Sequence, residues 1–488
     1  MDPARGPAAC VAGTRRRVVI LAVDQGTTGT TCLVVDRDLR PAGRGYCELR
    51  QSYPQPGWVE HDPDEILETV TAAAADALRA AGIGAADLTA IGITNQRETA
   101  IVWDRASGRP LHPAIVWQDR RTAARCAELP FELIRERTGL VPDPYFSATK
   151  LEWLLGRVSP KGALFGTVES WLVWHLTRGA AHVTDPTNAS RTLLAQLEPV
   201  AWDPDLLALF GIPDSVLPRI AASSGVVGDA ELDGARIPIA GLAGDQQAAL
   251  FGQACFAPGE TKATFGTGSF ILANQGDGGG PPPHGILRTA AAQPGKTALE
   301  GAVFVTGAAV QWLRDGLGLI ADAADTEVLA RSVSSTGGVH FVPALTGLGS
   351  PHWDANARGV ISGLTRGAGR AELARAALEA IAYQAADVVE AMGVELPALR
   401  ADGGATANAW LMQFQADILG VPVEVAADRE MTALGAAALA GLATGVWSGL
   451  DEVAAAWRCA ARYEPAMSRD EAETLLAGWR AAVARARS

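Results

Sequence analysis

Val18-Val-Ile-Leu-Ala-Val23 runs straight into Asp24-Gln-Gly-Thr-Thr-Gly-Thr30, and a second apolar run follows at 32–35. A short β-branched run, a Gly-rich turn and another apolar run read as strand, turn, strand. The device recurs past the middle of the chain, where 261–264 leads into Phe265-Gly-Thr-Gly-Ser269 and then 270–273. Glycine lets the backbone come close to an oxyanion, and threonine sets a hydroxyl donor beside the amide. One such turn is commonplace. Two of them, in similar halves, predict a duplicated α/β fold with a phosphate loop from each half turned toward a shared nucleotide cleft.

Working outward, Asp62 and Asp64 supply the capping residues of a helix that runs through an Ala-rich segment to about residue 81. Strands are expected at 88–94, at 100–103, where the turn Asp104-Arg-Ala-Ser-Gly108 closes the run, and at 237–242. A short strand at 399–401 precedes Asp402-Gly-Gly-Ala-Thr-Ala-Asn408 and a helix from 409 to about 419. That is a further place where backbone can approach a ligand. A boundary near Pro258-Gly259 gives a first domain over 17–257 and a second over 258–488, with 1–16 as a disordered tail.

A chain of 488 residues exceeds one hydrophobic core, in keeping with two domains. The formal net charge of −13 argues against a nucleic-acid partner, because that affinity comes from clustered Lys and Arg. An anionic ligand must then be held by local amides, hydroxyls and a metal. Six cysteines without a C-x-x-C pair suggest neither a zinc site nor a disulfide framework, and point to reduced thiols in a cytoplasm. Residues 431–450 carry no charge, but their Ala and Gly content predicts a tightly packed internal helix and no membrane role. Neither Gly-x-x-x-x-Gly-Lys-Ser/Thr nor the protein-kinase Gly-rich loop is present, which disfavours those two phosphate-binding folds.

Asp24-Gln-Gly-Thr-Thr, Thr94-Asn-Gln-Arg-Glu-Thr99, Ala114-Ile-Val-Trp-Gln118, Asp143-Pro-Tyr-Phe-Ser147, Gly244-Asp-Gln-Gln-Ala-Ala-Leu-Phe-Gly-Gln253, Phe265-Gly-Thr-Gly268, Gln311-Trp-Leu-Arg-Asp315, Gly363-Leu-Thr-Arg-Gly367 and Asp402-Gly-Gly-Ala closely resemble the glycerol kinases of the FGGY carbohydrate-kinase family. The likeness runs from about residue 18 to about 463. It implies two actin-like (ribonuclease H-like) domains with an ATP and substrate cleft between them, ATP and Mg²⁺ as cofactors, and glycerol as the second substrate. A kinase for another polyol or sugar of the family, or a catalytically weak nucleotide- and polyol-binding sensor, stays open as an alternative. The resemblance is compatible with either a homodimer or a homotetramer.

By the same resemblance Asp245 is the general base, and Asp24, acting through water, and Asp245 organise Mg²⁺. Arg97, Glu98, Trp103, Tyr145, Asp245, Gln246 and Phe270 form the polyol set. The nucleotide set is Gly26, Thr27, Thr28 and Gly29 in the first loop, Gly266, Thr267 and Gly268 in the second, and Gly307, Gln311, Gly404 and Asn408 beyond. Gly234-Ala-Arg236 resembles, over three residues only, a loop through which some bacterial members bind fructose 1,6-bisphosphate; a surface turn is the simpler reading. Two departures stand out. Gly29-Thr30-Thr31 replaces a family sequence that ends in an arginine near the phosphates, and Asn408-Ala409 replaces an Asn-Asn pair.

Overall fold

Alternation along the first strand decides how the first half is built. In β1 (Val19–Gln25), Val19, Leu21 and Val23 enter one hydrophobic cluster, while Ile20 and Ala22 enter another on the opposite face. A strand buried on both faces belongs in the middle of a sheet. In this computed structural model, which describes residues 19–487, β1 forms the expected antiparallel hairpin with β2 (Gly29–Asp36), and β3 (Pro41–Glu48) extends the meander. The expected disordered tail, 1–16, lies outside the described residues.

On the other side of β1 the sheet continues with β4 (Ala90–Asn95), β5 (Ser224–Leu232) and β6 (Ala235–Gly244), in the order β5-β6-β4-β1-β2-β3. β4 runs parallel to both β1 and β6, and β5 is antiparallel to β6. β5 and β6 meet at Asp233-Gly234, both with positive φ, which is the surface turn expected there. One face of the sheet is covered by α1 (Pro63–Ala81), whose cap Asp62 accepts the Asp64 N–H, and by α2 (Val168–Leu176). α3 (Asp245–Gly252) starts directly beyond β6 and packs on the opposite face.

The second half repeats the plan. Its strands are β7 (Thr261–Phe265), β8 (Ser269–Gly276), β9 (Leu287–Ala290), β10 (Thr297–Val303), β11 (Leu399–Asp402), β12 (Val423–Ala426) and β13 (Cys459–Tyr463). They lie in the order β9-β10-β8-β7-β11-β12-β13. In each half an antiparallel meander grows from one side of the founding strand and parallel strands from the other: β7-β8-β10 and β11-β12 match β1-β2-β3 and β4-β6. The helices that follow are α4 (Arg370–Met392), α5 (Ala409–Leu419), α6 (Met431–Ala443) and α7 (Arg469–Ala486). α4, α5 and α7 bury the second sheet's main cluster, with Tyr383, Phe414 and Trp479 at its centre.

α6 departs from this tidy division. It is the uncharged stretch read as an internal helix, and it packs on the first sheet, against α3 and the Ile20–Ala22 face. Its small residues are required by closeness. A Cβ on Gly92 of β4 would stand 2.1 Å from the Ala436 carbonyl oxygen, and one on Gly435 would stand 1.9 Å from that of Ala248. Pro258-Gly259 therefore separates the two sheets but not the layers around them. No described helix is long and apolar enough to cross a membrane.

Candidate active site

The parallel strands β1, β4 and β6 end in register, with Gln25 beside Asn95 and Asn95 beside Gly244. Residues just past these carboxyl ends therefore gather along one edge, the place where open α/β sheets receive ligands. Asp245 opens α3 directly after β6, and Arg97 and Glu98 follow β4 through a left-handed turn at Glu98 (φ 62°).

Arg97 organises this edge. Its Nε lies 3.0 Å from Asp245 Oδ1, its two terminal nitrogens reach Glu300 of β10 at 2.6 and 2.9 Å, and one of them donates to the Tyr145 hydroxyl at 3.3 Å. Arg191 adds a second guanidinium, with Nε 2.6 Å from Glu98 and a terminal nitrogen 3.0 Å from Glu300. All four side chains of these two arginines and two glutamates are buried, so each charge depends on its partners. Burial pushes the Glu300 carboxyl up, but Arg191 and Arg97 overcome it and hold the group at about 2. Burial raises Glu98 against the pull of the same two cations.

Asp245 is the member that opens to the cleft, with 29% of its side chain exposed, and its Oδ1 accepts the Gln246 N–H at 2.7 Å. Lys262 of β7 donates to Gln246 Oε1 at 2.5 Å and to Thr264 Oγ1 at 2.9 Å; burial lowers its ammonium to about 8. The Phe270 ring lies under the Arg97 guanidinium at 5.9 Å. The structure thus brings together Arg97, Glu98, Tyr145, Asp245, Gln246 and Phe270.

It does not bring Trp103 to them. Trp103 is fully buried in the first sheet's cluster, where its ring meets Trp171 at 5.5 Å and His182 at 5.4 Å. The indole beside the site is Trp117, half-buried and edge-on to Tyr145 at 5.5 Å. The expectation for Trp103 is corrected accordingly. The tripeptide Ile-Val-Trp occurs at 101–103 and again at 115–117, and only the three-dimensional fold distinguishes a strand residue in the core from one just beyond a strand end.

The two phosphate-loop candidates close alike: Gly26 N–H donates to the Gly29 carbonyl and Gly266 N–H to that of Gly268, both at 2.9 Å. A cavity of about 580 Å³ in the second half is lined by Gly266, Thr267, Gly307, Gln311, Gly404 and Asn408. A Cβ on Gly268 would stand 2.5 Å from the Val303 carbonyl oxygen, so that turn is packed to the limit. Asn408 caps α5 by accepting the Leu411 N–H. Arg314, Thr326 and Glu327 line the same cavity; Arg314 falls within the motif 311–315 without an assigned role, and Thr326 and Glu327 carried no motif signal.

Asp24 stands directly across the β1–β2 pairing from Thr31. Burial raises the Asp24 carboxyl well above its ordinary range, and the charges of Asp245 and Glu430 raise it further. It forms no ion pair with a described residue. Gly29 is enforced by its neighbour, since a Cβ there would meet the Tyr46 hydroxyl at 2.6 Å.

Two family models span almost all of this architecture: the N-terminal domain of the FGGY family of carbohydrate kinases over residues 19–252, and the C-terminal domain over 261–444. The chain belongs to the FGGY family of carbohydrate kinases. The first FGGY segment ends with α3 and the second begins with β7. The chain is 56% identical to a glycerol kinase of Aromatoleum aromaticum over 488 residues, covering 96% of this chain and 98% of that one. It is 53% identical to glycerol kinase 2 of Thermotoga maritima, with the same coverage. A crystal structure of Plasmodium falciparum glycerol kinase with ADP superposes with a TM-score of 0.89 at 36% identity, covering 96% of this chain and 98% of that one. Besides Trp117, the site residues that sequence reading missed are Arg191, Lys262 and Glu300. Each of these three reaches the site from a strand or loop with no motif of its own.

Proposed function

We propose that the chain phosphorylates glycerol with ATP, giving ADP and sn-glycerol 3-phosphate. The observation that carries this reading is the cleft carboxylate of Asp245, aimed by a buried Arg97 that is itself locked between Glu300 and Tyr145. A terminal hydroxyl of glycerol gives its proton to Asp245 as its oxygen attacks the γ-phosphorus. The bond from that phosphorus to the β,γ-bridging oxygen breaks, and the electron pair leaves with ADP. A triol needs both donors and acceptors. The amide nitrogen of Gln246 donates, Glu98 accepts, Arg97 holds Asp245 and the Tyr145 hydroxyl in place at the polyol, and the faces of Trp117 and Phe270 meet the carbons.

The loops at 26–29 and 266–268 hold the phosphates, and the 580 Å³ cavity takes the adenosine beside Gly404 and Asn408. Mg²⁺ suits the donor set, because Asp24 is a hard oxygen ligand that forms no ion pair with a described residue and is crowded by like charge. No three metal-ligating side chains converge among the described residues, which fits a hydrated ion held through water by Asp24 and by Asp245. When bound, the ion neutralises charge on the β- and γ-phosphates. The glycerol kinases at more than half identity over nearly the full length support the same substrate.

The test is ADP release with glycerol, xylulose, ribulose, erythritol and dihydroxyacetone in parallel, where glycerol should give the highest kcat/KM. A higher value for a pentulose would overturn the assignment. Asp245→Asn should lower kcat at least ~10²-fold with KM values within a few-fold. Near-normal turnover would remove Asp245 from the mechanism.

A further inference from the structure

Trp117 touches two things at once. Its ring stands against Tyr145 at the polyol site, and its indole N–H donates to the Thr27 hydroxyl, at 2.9 Å, in the first phosphate loop. A hydroxyl has one proton and two lone pairs. With the indole N–H occupying a lone pair, the Thr27 proton remains for a different acceptor, and an anion can use only donors.

The polar side chains beneath the loop are bonded to one another and to its backbone. Trp117 backbone N–H donates to Thr99 Oγ1 at 3.3 Å, and Thr99 passes its own proton to Gln96 Oε1 at 3.0 Å. Gln96 Nε2 donates to Gln25 Oε1 at 3.0 Å and to the Gly26 carbonyl at 3.2 Å, which Gln25 Nε2 also reaches at 2.7 Å. Gln25, Gln96 and Thr99 are buried. The bonds beneath the loop end at the backbone N–H of Trp117, and a separate bond from its indole N–H reaches Thr27, so the buried network fixes the residue and the indole fixes the hydroxyl.

We propose that Trp117 is a positioning residue for the first phosphate loop, orienting the Thr27 hydroxyl as a donor to a nucleotide phosphate and so coupling polyol occupancy to nucleotide affinity. The polyol half of this statement rests on the glycerol reading above. A ligand seated against the indole and Tyr145 restricts the ring, and a fixed ring fixes Thr27. The two substrates then strengthen each other's binding by the same factor.

Trp117→Phe keeps an aromatic face and removes the N–H; Thr27→Val removes the hydroxyl from the other side. Nucleotide affinity is measured by calorimetry with Mg²⁺ and a non-hydrolysable ATP analogue, without and with saturating glycerol, on folded protein checked by thermal unfolding. Each variant should weaken ATP binding three- to tenfold, and the double variant should be no worse than the poorer single one. Both should also lose most of the enhancement by glycerol, with KM for glycerol changed less than KM for ATP. Additive losses, or a Trp117→Phe protein with normal ATP affinity and only a raised glycerol KM, would overturn the proposal. If glycerol has no effect on nucleotide affinity in the parent protein while both variants weaken it, the coupling is overturned and the loop-positioning role stands; failure of the glycerol reading itself would show separately, as a higher kcat/KM for another substrate in the panel.

Discussion

Lys262 decides what Gln246 can offer. With Oε1 held by the ammonium, the carboxamide presents its NH₂ to the cleft, so a flexible side chain becomes a donor of fixed direction. The same reasoning applies to Thr31, which lies across from Asp24 where the family resemblance leads one to expect an arginine. Directly paired residues share a sheet face, so Thr31→Arg sets a guanidinium beside a carboxylate that pairs with no cation among the described residues, and next to the first loop. KM for ATP should fall roughly tenfold and KM for glycerol should hold within about twofold. Steady-state kinetics at varied ATP would check it, and an unchanged KM for ATP would place this position away from the phosphates. Residues embedded in motifs, such as Asp245 and Arg97, were legible from the sequence. Glu300 and Arg191 were not, because their role is to complete a charge network whose other members lie far away in the chain.

Among the elements, α2 carries a titratable group with no part in the site. Glu169 Oε1 accepts the hydroxyls of Thr167, Ser170 and Thr184, yet Oε2 is buried without a hydrogen-bond partner among the described residues. Burial, aided by the charge of Asp185, raises this carboxyl from 4.5 to about 7 in spite of those hydroxyls. The folded state therefore favours the protonated form. Its contribution is complete below pH 4.5 and is lost as pH rises to 7, on the order of 3 kcal/mol in all. Glu169→Gln removes the titration, so the difference in Tm, variant minus parent, should be more positive at pH 8 than at pH 5. Equal differences at the two pH values would mean that Glu169 does not titrate in that window. The strands of the two hairpins were readable from apolar runs beside Gly-rich turns, and the helix at 409–419 from the Gly-rich turn before it. Which sheet α6 would cover was not, because an all-round apolar helix carries no stripe to aim it.

For the molecule as a whole, the repeated Gly-rich hairpin disclosed the duplication before any topology was known. The floor of the cleft is stitched across the halves by Arg97 with Glu300 and by Lys262 with Gln246. The borrowed helix α6 adds a dependence of another kind, in time. On a ribosome, the last strand of the first sheet is finished at residue 244, but α6 begins 187 residues later, at 431 (431 − 244). At about 5–20 residues per second that is a wait of roughly ten to forty seconds. Throughout it, Ile20, Ala22, Leu33 and Val35 lack the covering that α6 supplies in the finished protein. A nascent chain arrested before residue 431 has emerged should therefore lose its first strands to protease, and one arrested after 443 has cleared the exit tunnel should protect them. Equal protection in both would show that the first sheet closes without α6. The earliest-made half of this kinase is among the last parts to become resistant to degradation.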